Sequence, residues 1–145
     1  MIRRVGAPPQ TGIHYIRRPG VYAILPHASG LLLTLQTRPS VDLQLPGGGV
    51  DPGESPIRAL HREVFEETGW IITRPRRLGA FRRFAYLPDY DMWAEKMCTV
   101  YMAYPTRHIA DPTEPHHRAV TTTVQTAISE LGNDGDRMFV RRFCL

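Results

Sequence analysis

The chain has 145 residues, 42% hydrophobic and 22% charged, with a formal net charge of +4. That length suits a single domain, residues 1–145, with a real core, and the balance excludes a disordered chain. No apolar stretch approaches a membrane span, and the start MIRRVGAPPQ has no apolar run behind its arginines, so neither a membrane protein nor a secretory signal is expected. Cys98 and Cys144 make no metal spacing, which points to a reduced, cytoplasmic protein. Of the eighteen basic residues only Lys96 is a lysine. Arginine's planar fork suits phosphate oxygens, although general solubility explains surface arginine equally well.

Residues 1–19 lack periodicity and read as an irregular arm or an edge strand. Val21–Leu25 and Leu31–Gln36 are β-prone runs separated by the turn Pro26–Gly30. Gln44–Pro46 ends a short strand, and Gly47, Gly48 and Gly49 break it into a loop. Ser55 is an N-cap followed by Pro56 at the first helical position, and the helix is predicted to run over residues 55–68 with Gly69 as its left-handed C-cap. Strands follow at Arg76–Leu87 and Trp93–Tyr104, joined by a turn at 88–91. Pro105–Pro115 reads as a long loop and Val120–Thr123 as a short strand. Val124–Leu131 and Arg137–Phe143 read as helices, broken at Gly132–Gly135.

The helix over 55–68 carries the most informative pattern. At 3.6 residues per turn, Ile57, Leu60, Val64 and Thr68 share a core-facing side. Glu63, Glu66 and Glu67 share the adjacent side, with Ala59 one turn earlier leaving room for ions or phosphate. Carboxylates packed this closely repel one another, and two of them lie in the last turn, where the helix dipole disfavours them. An acidic pair alone is more often a solvated face; the flanking glycines, Glu54 and Arg62 argue for a bound cation instead. Oxygen-only ligation favours Mg2+, with Mn2+ as the alternative.

The run Gly48–Trp70, GGVDPGESPIRALHREVFEETGW, closely resembles the box of the Nudix hydrolases, in the manner of the MutT-like members. Trp70 departs mildly from the pattern, which more often has an aliphatic residue there. The resemblance implies an α/β fold, an α/β/α sandwich with a mixed β-sheet. It implies a pyrophosphohydrolase that cleaves a nucleoside diphosphate linked to another group X. By position, Gly47 (through its carbonyl), Glu63, Glu66 and Glu67 become metal ligands, and Arg62 orients the glutamates. Glu54 braces loop and helix, while Gly48 and Gly69 serve backbone geometry. Water then attacks phosphorus, with a carboxylate taking its proton. Glu63 or Glu67 could do so from the helix. A glutamate from a later loop is also a candidate: Glu114, in TEPHHRAV, fits best and Glu95 second.

Substrate choice lies outside the box. Tyr86, Tyr90 and Trp93 offer stacking surfaces, Arg82 and Arg83 could reach phosphate although on a strand one of them points away, and His116 and His117 could bind phosphate. Arg82, Tyr90 and Trp93 are taken as the substrate-binding set. The expected partner is a nucleotide-type small molecule, with no membrane, and nucleic acid only as an RNA 5′ end; homodimerisation is left open. An RNA 5′-end pyrophosphohydrolase is the alternative enzyme. A non-catalytic, ligand-sensing module is disfavoured because every box glutamate is kept.

Overall fold

The computed structural model describes residues 2–145. A five-stranded mixed sheet runs in the order β1 (Arg3–Arg4), β7 (Trp70–Leu87), β8 (Met92–His108), β2 (Ile16–Ile24), β6 (Gly47–Gly49). Its β1/β7 and β2/β8 pairs are parallel and the others antiparallel. A second sheet joins β3 (Pro26–His27), β4 (Gly30–Gln36), β5 (Asp42–Gln44) and β9 (His117–Thr122), with β9 antiparallel to β4.

Alternation along the strands divides the interior into two cores. Val21, Ala23 and Leu25 of β2, Leu32 of β4, and Tyr101 and Ala103 of β8 pack with Ala59, Leu60 and Val64 of helix α1 (Pro56–Thr68). The residues between them, Ile24, Leu31, Leu33, Val100 and Met102, pack with Ala127 of α2 (Val124–Glu130) and with Phe139 and Val140 of α3 (Asp134–Cys144). Period-two patterning thus gives each strand two apolar faces, and helices cover both. The fold is an α/β/α sandwich with a mixed sheet.

Several boundaries differ from the sequence reading. β2 begins at Ile16 rather than Val21, and the glycine run is a strand, paired Val21↔Gly48 and Tyr22↔Gly47, rather than a loop. β7 starts at Trp70 rather than Arg76, because the chain passes Pro75 through register shifts between Thr73 and Gly79. A bulge tolerates a proline that cannot donate to the ladder, and Arg74 beside it takes a positive φ of 56°. β8 extends to His108 and β9 begins at His117, which shortens the expected 105–115 loop.

The buried side of α1 is also rotated from the expected stripe. Ala59, Leu60, Val64, Glu67 and Thr68 are buried, while Ile57 in the first turn is 39% exposed. Ala59 therefore fills the core and does not leave space beside the carboxylates. The rotation carries Glu67 inward, to 6% exposure.

Candidate active site

Local signals at both ends of α1 fix where its carboxylates point. Ser55 Oγ accepts the Arg58 N–H at 3.2 Å, and the Gly69 N–H closes the last turn on the Phe65 carbonyl at 2.8 Å. Gly69 has φ 75°, and an added Cβ would collide with the Ala110 carbonyl, so both conformation and space require glycine.

Arg62 is the hub of the loop–helix junction. Its Nε and Nη2 donate to the two oxygens of Glu54, each at 2.8 Å, and Nη2 also reaches the Gly49 carbonyl at 3.1 Å. Its Nη1 donates to Glu63 Oε1 at 2.9 Å and to Glu66 Oε2 at 3.3 Å. The hydrogen bonds from Arg62 hold the Glu54 carboxyl down at about 2, helped by the Asp51 N–H. Arg62 in turn is raised, first by Glu54. Arg62 thus joins Glu54 and the Gly49 carbonyl of the loop to Glu63 and Glu66 of the helix.

Glu67 lies deeper. Its Oε1 accepts the Gly47 N–H at 2.9 Å, and its Oε2 stands 3.6 Å from His117 Nδ1, which also meets Thr34 Oγ1 at 3.0 Å. Burial pushes the Glu67 carboxyl well above the usual range, and the charges of Glu63 and Glu114 add to this while the Gly47 N–H opposes it. Burial also lowers His117, so its approach to Glu67 is that of a neutral ring rather than half of an ion pair. Glu63 is raised by burial too, with Arg62 opposing, and its carboxylate occupies the space where a side chain on Gly48 would stand.

Glu114 is exposed in the loop between β8 and β9 and does not line the cavity described below. The N–H groups of Thr113 and Glu114 both donate to the Glu66 carbonyl at 2.9 Å, tying this loop to the end of α1. Its charge acts on Glu63, Glu67 and His117. Glu95 faces elsewhere, paired with Arg17 at 3.1 Å and Arg82 at 3.3 Å.

A cavity of about 260 Å³ opens beside these carboxylates. Glu63, Glu67 and Gly47–Gly49 form one wall; Arg18, Tyr22, Arg83, Lys96 and Asp136 form much of the rest, with Tyr90 among the lining residues. Of the expected substrate set only Tyr90 lines this cavity. Arg82 lies on the opposite face of β7, bonded to Glu95 and the Ile2 carbonyl, and Trp93 packs against Tyr15 and Tyr86. Strand alternation is the reason: Arg83, not Arg82, shares the cavity face. Lys96, Arg18, Tyr22 and Asp136 were not singled out from the sequence, because the signal lies in cross-strand register, which a single strand does not display.

The donor set fits a hard divalent cation in kind. Glu63 and Glu67 are partly desolvated oxygen donors on one cavity wall, next to a glycine backbone without side-chain bulk. Among the described residues no three His, Cys, Asp or Glu side chains gather closely enough to enclose an ion. Arg62 draws Glu63 and Glu66 toward itself, while Glu67 turns to Gly47.

Residues 16–143 match the family model of the NUDIX domain. A Bacillus subtilis (strain 168) protein provisionally named 8-oxo-dGTP diphosphatase is 36% identical over 64 residues, 44% of this chain and 43% of that protein. An RNA pyrophosphohydrolase of Proteus mirabilis (strain HI4320) is 40% identical over 52 residues, 36% of this chain and 30% of that one. These matches span less than half the length of either relative. Among solved structures, a NUDIX hydrolase from Nitrosomonas europaea superposes with a TM-score of 0.71 at 19% identity, covering 87% of this chain and 86% of the other.

Proposed function

The chain belongs to the NUDIX domain family, and from that premise we propose that it is a divalent-metal-dependent pyrophosphohydrolase acting on a nucleoside diphosphate joined to a further group. The observation that carries this reading is the pairing of Glu67 with Gly47 beside Glu63, on the wall of a cavity lined by cations. Buried carboxylates are costly, and they are retained where a cation compensates them.

In this reading Glu63, Glu66, Glu67 and the Gly47 carbonyl hold the cation, Mg2+ by preference and Mn2+ as the alternative. When bound, the ion neutralises the diphosphate and acidifies water for attack at phosphorus. Arg62 keeps Glu63 and Glu66 oriented through the contacts described above. Glu114, anchored to the helix end through its own N–H, accepts the proton of the attacking water. His117 and the Gly47 N–H fix the orientation of Glu67. Tyr90 offers a stacking face near the cavity mouth. Two free cysteines suit a reducing, cytoplasmic setting, and no helix is long and apolar enough to cross a membrane.

The test is Mg2+-dependent phosphate release from nucleotide substrates by Glu66→Gln and Glu67→Gln. Turnover is expected to fall by about 10^3-fold or more while the circular dichroism spectrum is kept. Normal turnover in both variants sinks the metal-site assignment.

A second reading rests on the resemblance to the Proteus mirabilis enzyme: hydrolysis at an RNA 5′ end. A strand held through several phosphates makes activity fall steeply with salt, whereas a small nucleotide gives a shallow dependence.

A further inference from the structure

Three cations stand in one cross-strand row. Arg83 of β7 pairs with Lys96 of β8, and Lys96 pairs with Arg18 of β2. Residues directly opposite one another in a sheet point to the same face, and like charges so placed destabilise it. All three line the cavity beside Glu63 and Glu67. The other face of the same strands shows how such a conflict is normally relieved: Glu95 lies between Arg17 and Arg82 and pairs with both. On the cavity face, among the described residues, no carboxylate comes within 4.0 Å of Arg18, Lys96 or Arg83. Asp136, the buried acid of that wall, is engaged instead with the Leu45 N–H. Aromatic rings support the row, with Lys96 over Tyr22 at 5.5 Å and Arg18 over Tyr90 at 4.9 Å. Burial and the neighbouring Arg83 both lower the Lys96 ammonium, while Cys98, Asp136 and Glu67 oppose them.

We propose that Arg18, Lys96 and Arg83 form an anion-binding strip, and that the substrate of the adjoining carboxylate site is a 5′-triphosphate rather than a nucleotide joined to an uncharged sugar. The substrate assignment rests on the reading given under Proposed function. A diphosphate held at the glutamates leaves one further phosphoryl charge in a triphosphate, and the strip supplies its counter-charge. A free nucleoside triphosphate and the 5′ end of an RNA share this chemistry.

The experiment uses the full chain with Mg2+ and three substrates: a nucleoside triphosphate, a 5′-triphosphate RNA and a nucleoside diphosphate sugar. Wild type is compared with Lys96→Met, Arg83→Met, Arg18→Gln and the opposite-face control Arg17→Gln. Calorimetric binding of inorganic triphosphate without metal is measured in parallel. The wild type is expected to favour one or both triphosphates, and the strip variants to raise their KM by about tenfold or more. The sugar nucleotide should stay within about twofold of wild type, and so should every substrate in Arg17→Gln. Which triphosphate is favoured distinguishes its source. Wild-type preference for the sugar nucleotide, or an equal loss on all substrates, overturns the proposal. Arg18, at the end of the row, decides the matter if either of the other variants fails to fold. A chain that hydrolyses nothing, yet loses inorganic triphosphate binding in the strip variants, keeps the strip and discards the hydrolase reading. Hydrolysis of nucleotide sugars without triphosphate binding does the reverse.

Discussion

Arg62 grips Glu54 along one edge of its guanidinium, with Nε and Nη2 each 2.8 Å from a separate carboxylate oxygen. The pair locks the glycine-containing turn to the helix that bears Glu63, Glu66 and Glu67. Such fork-to-fork contacts are specific to arginine, which a lysine cannot reproduce.

This pair makes the fold acid-sensitive in a defined window. The Glu54 carboxyl lies at about 2 in the folded protein, against an ordinary 4.5. Its stabilising effect is therefore complete above about pH 4.5 and is lost as pH falls toward about 2. Glu54→Gln should flatten the dependence of Tm on pH within that window while lowering Tm at neutral pH. A variant with an unchanged acid profile would remove Glu54 as its source.

Two glycines of the box separate site geometry from stability. A Cβ at Gly48 would meet the tip of the Glu63 side chain, which can swing away, whereas at Gly69 it would meet the Ala110 backbone at a φ of 75°. Gly69→Ala is expected to cost about 1–2 kcal/mol or more, because an αL residue with blocked space has no relaxed alternative. Gly48→Ala should leave Tm within a few degrees yet cut turnover by about tenfold or more, by displacing a carboxylate. Thermal melts and steady-state kinetics on both proteins check the contrast.

Much of this was legible in the chain. Ser55, Pro56 and Gly69 bracket the helix by local chemistry alone, and Glu63, Glu66 and Glu67 are spaced so that they share one side of it. What depends on partners across the sheet was not legible. Gly47–Gly49 becomes a strand because β2 offers its edge, Ile57 loses its place in the core because α1 is rotated, and Arg83 replaces Arg82 at the cavity because of strand parity. Lys96 gains its importance only from Arg18 and Arg83 beside it, residues far apart in sequence.

Glu114 is positioned by backbone, since its N–H and that of Thr113 share the Glu66 carbonyl. Its side chain can therefore be changed without releasing the loop. Glu114→Gln is expected to lower kcat by about tenfold or more with KM little changed, as for a group that handles a proton in the transition state. Single-turnover measurements check this. An unchanged kcat moves the role to Glu63, which lines the cavity.

Glu67 sets stability against function. Its carboxyl is raised well above the ordinary 4.5 by burial, so the unfolded chain ionises first as pH rises. Its contribution to stability is then greatest below about 4.5 and falls as pH climbs through the interval up to the raised folded value, leaving the metal-free protein weakened above it. Glu67→Gln removes the buried charge and keeps an oxygen to accept the Gly47 N–H. Without metal at neutral pH the variant should melt a few degrees higher than wild type, on the order of 1 kcal/mol. Added Mg2+ should raise the wild-type Tm through binding to the folded state, and should raise that of the variant far less. Melting curves with and without Mg2+ decide the matter. Equal Mg2+ shifts in the two proteins would show that Glu67 does not hold the ion.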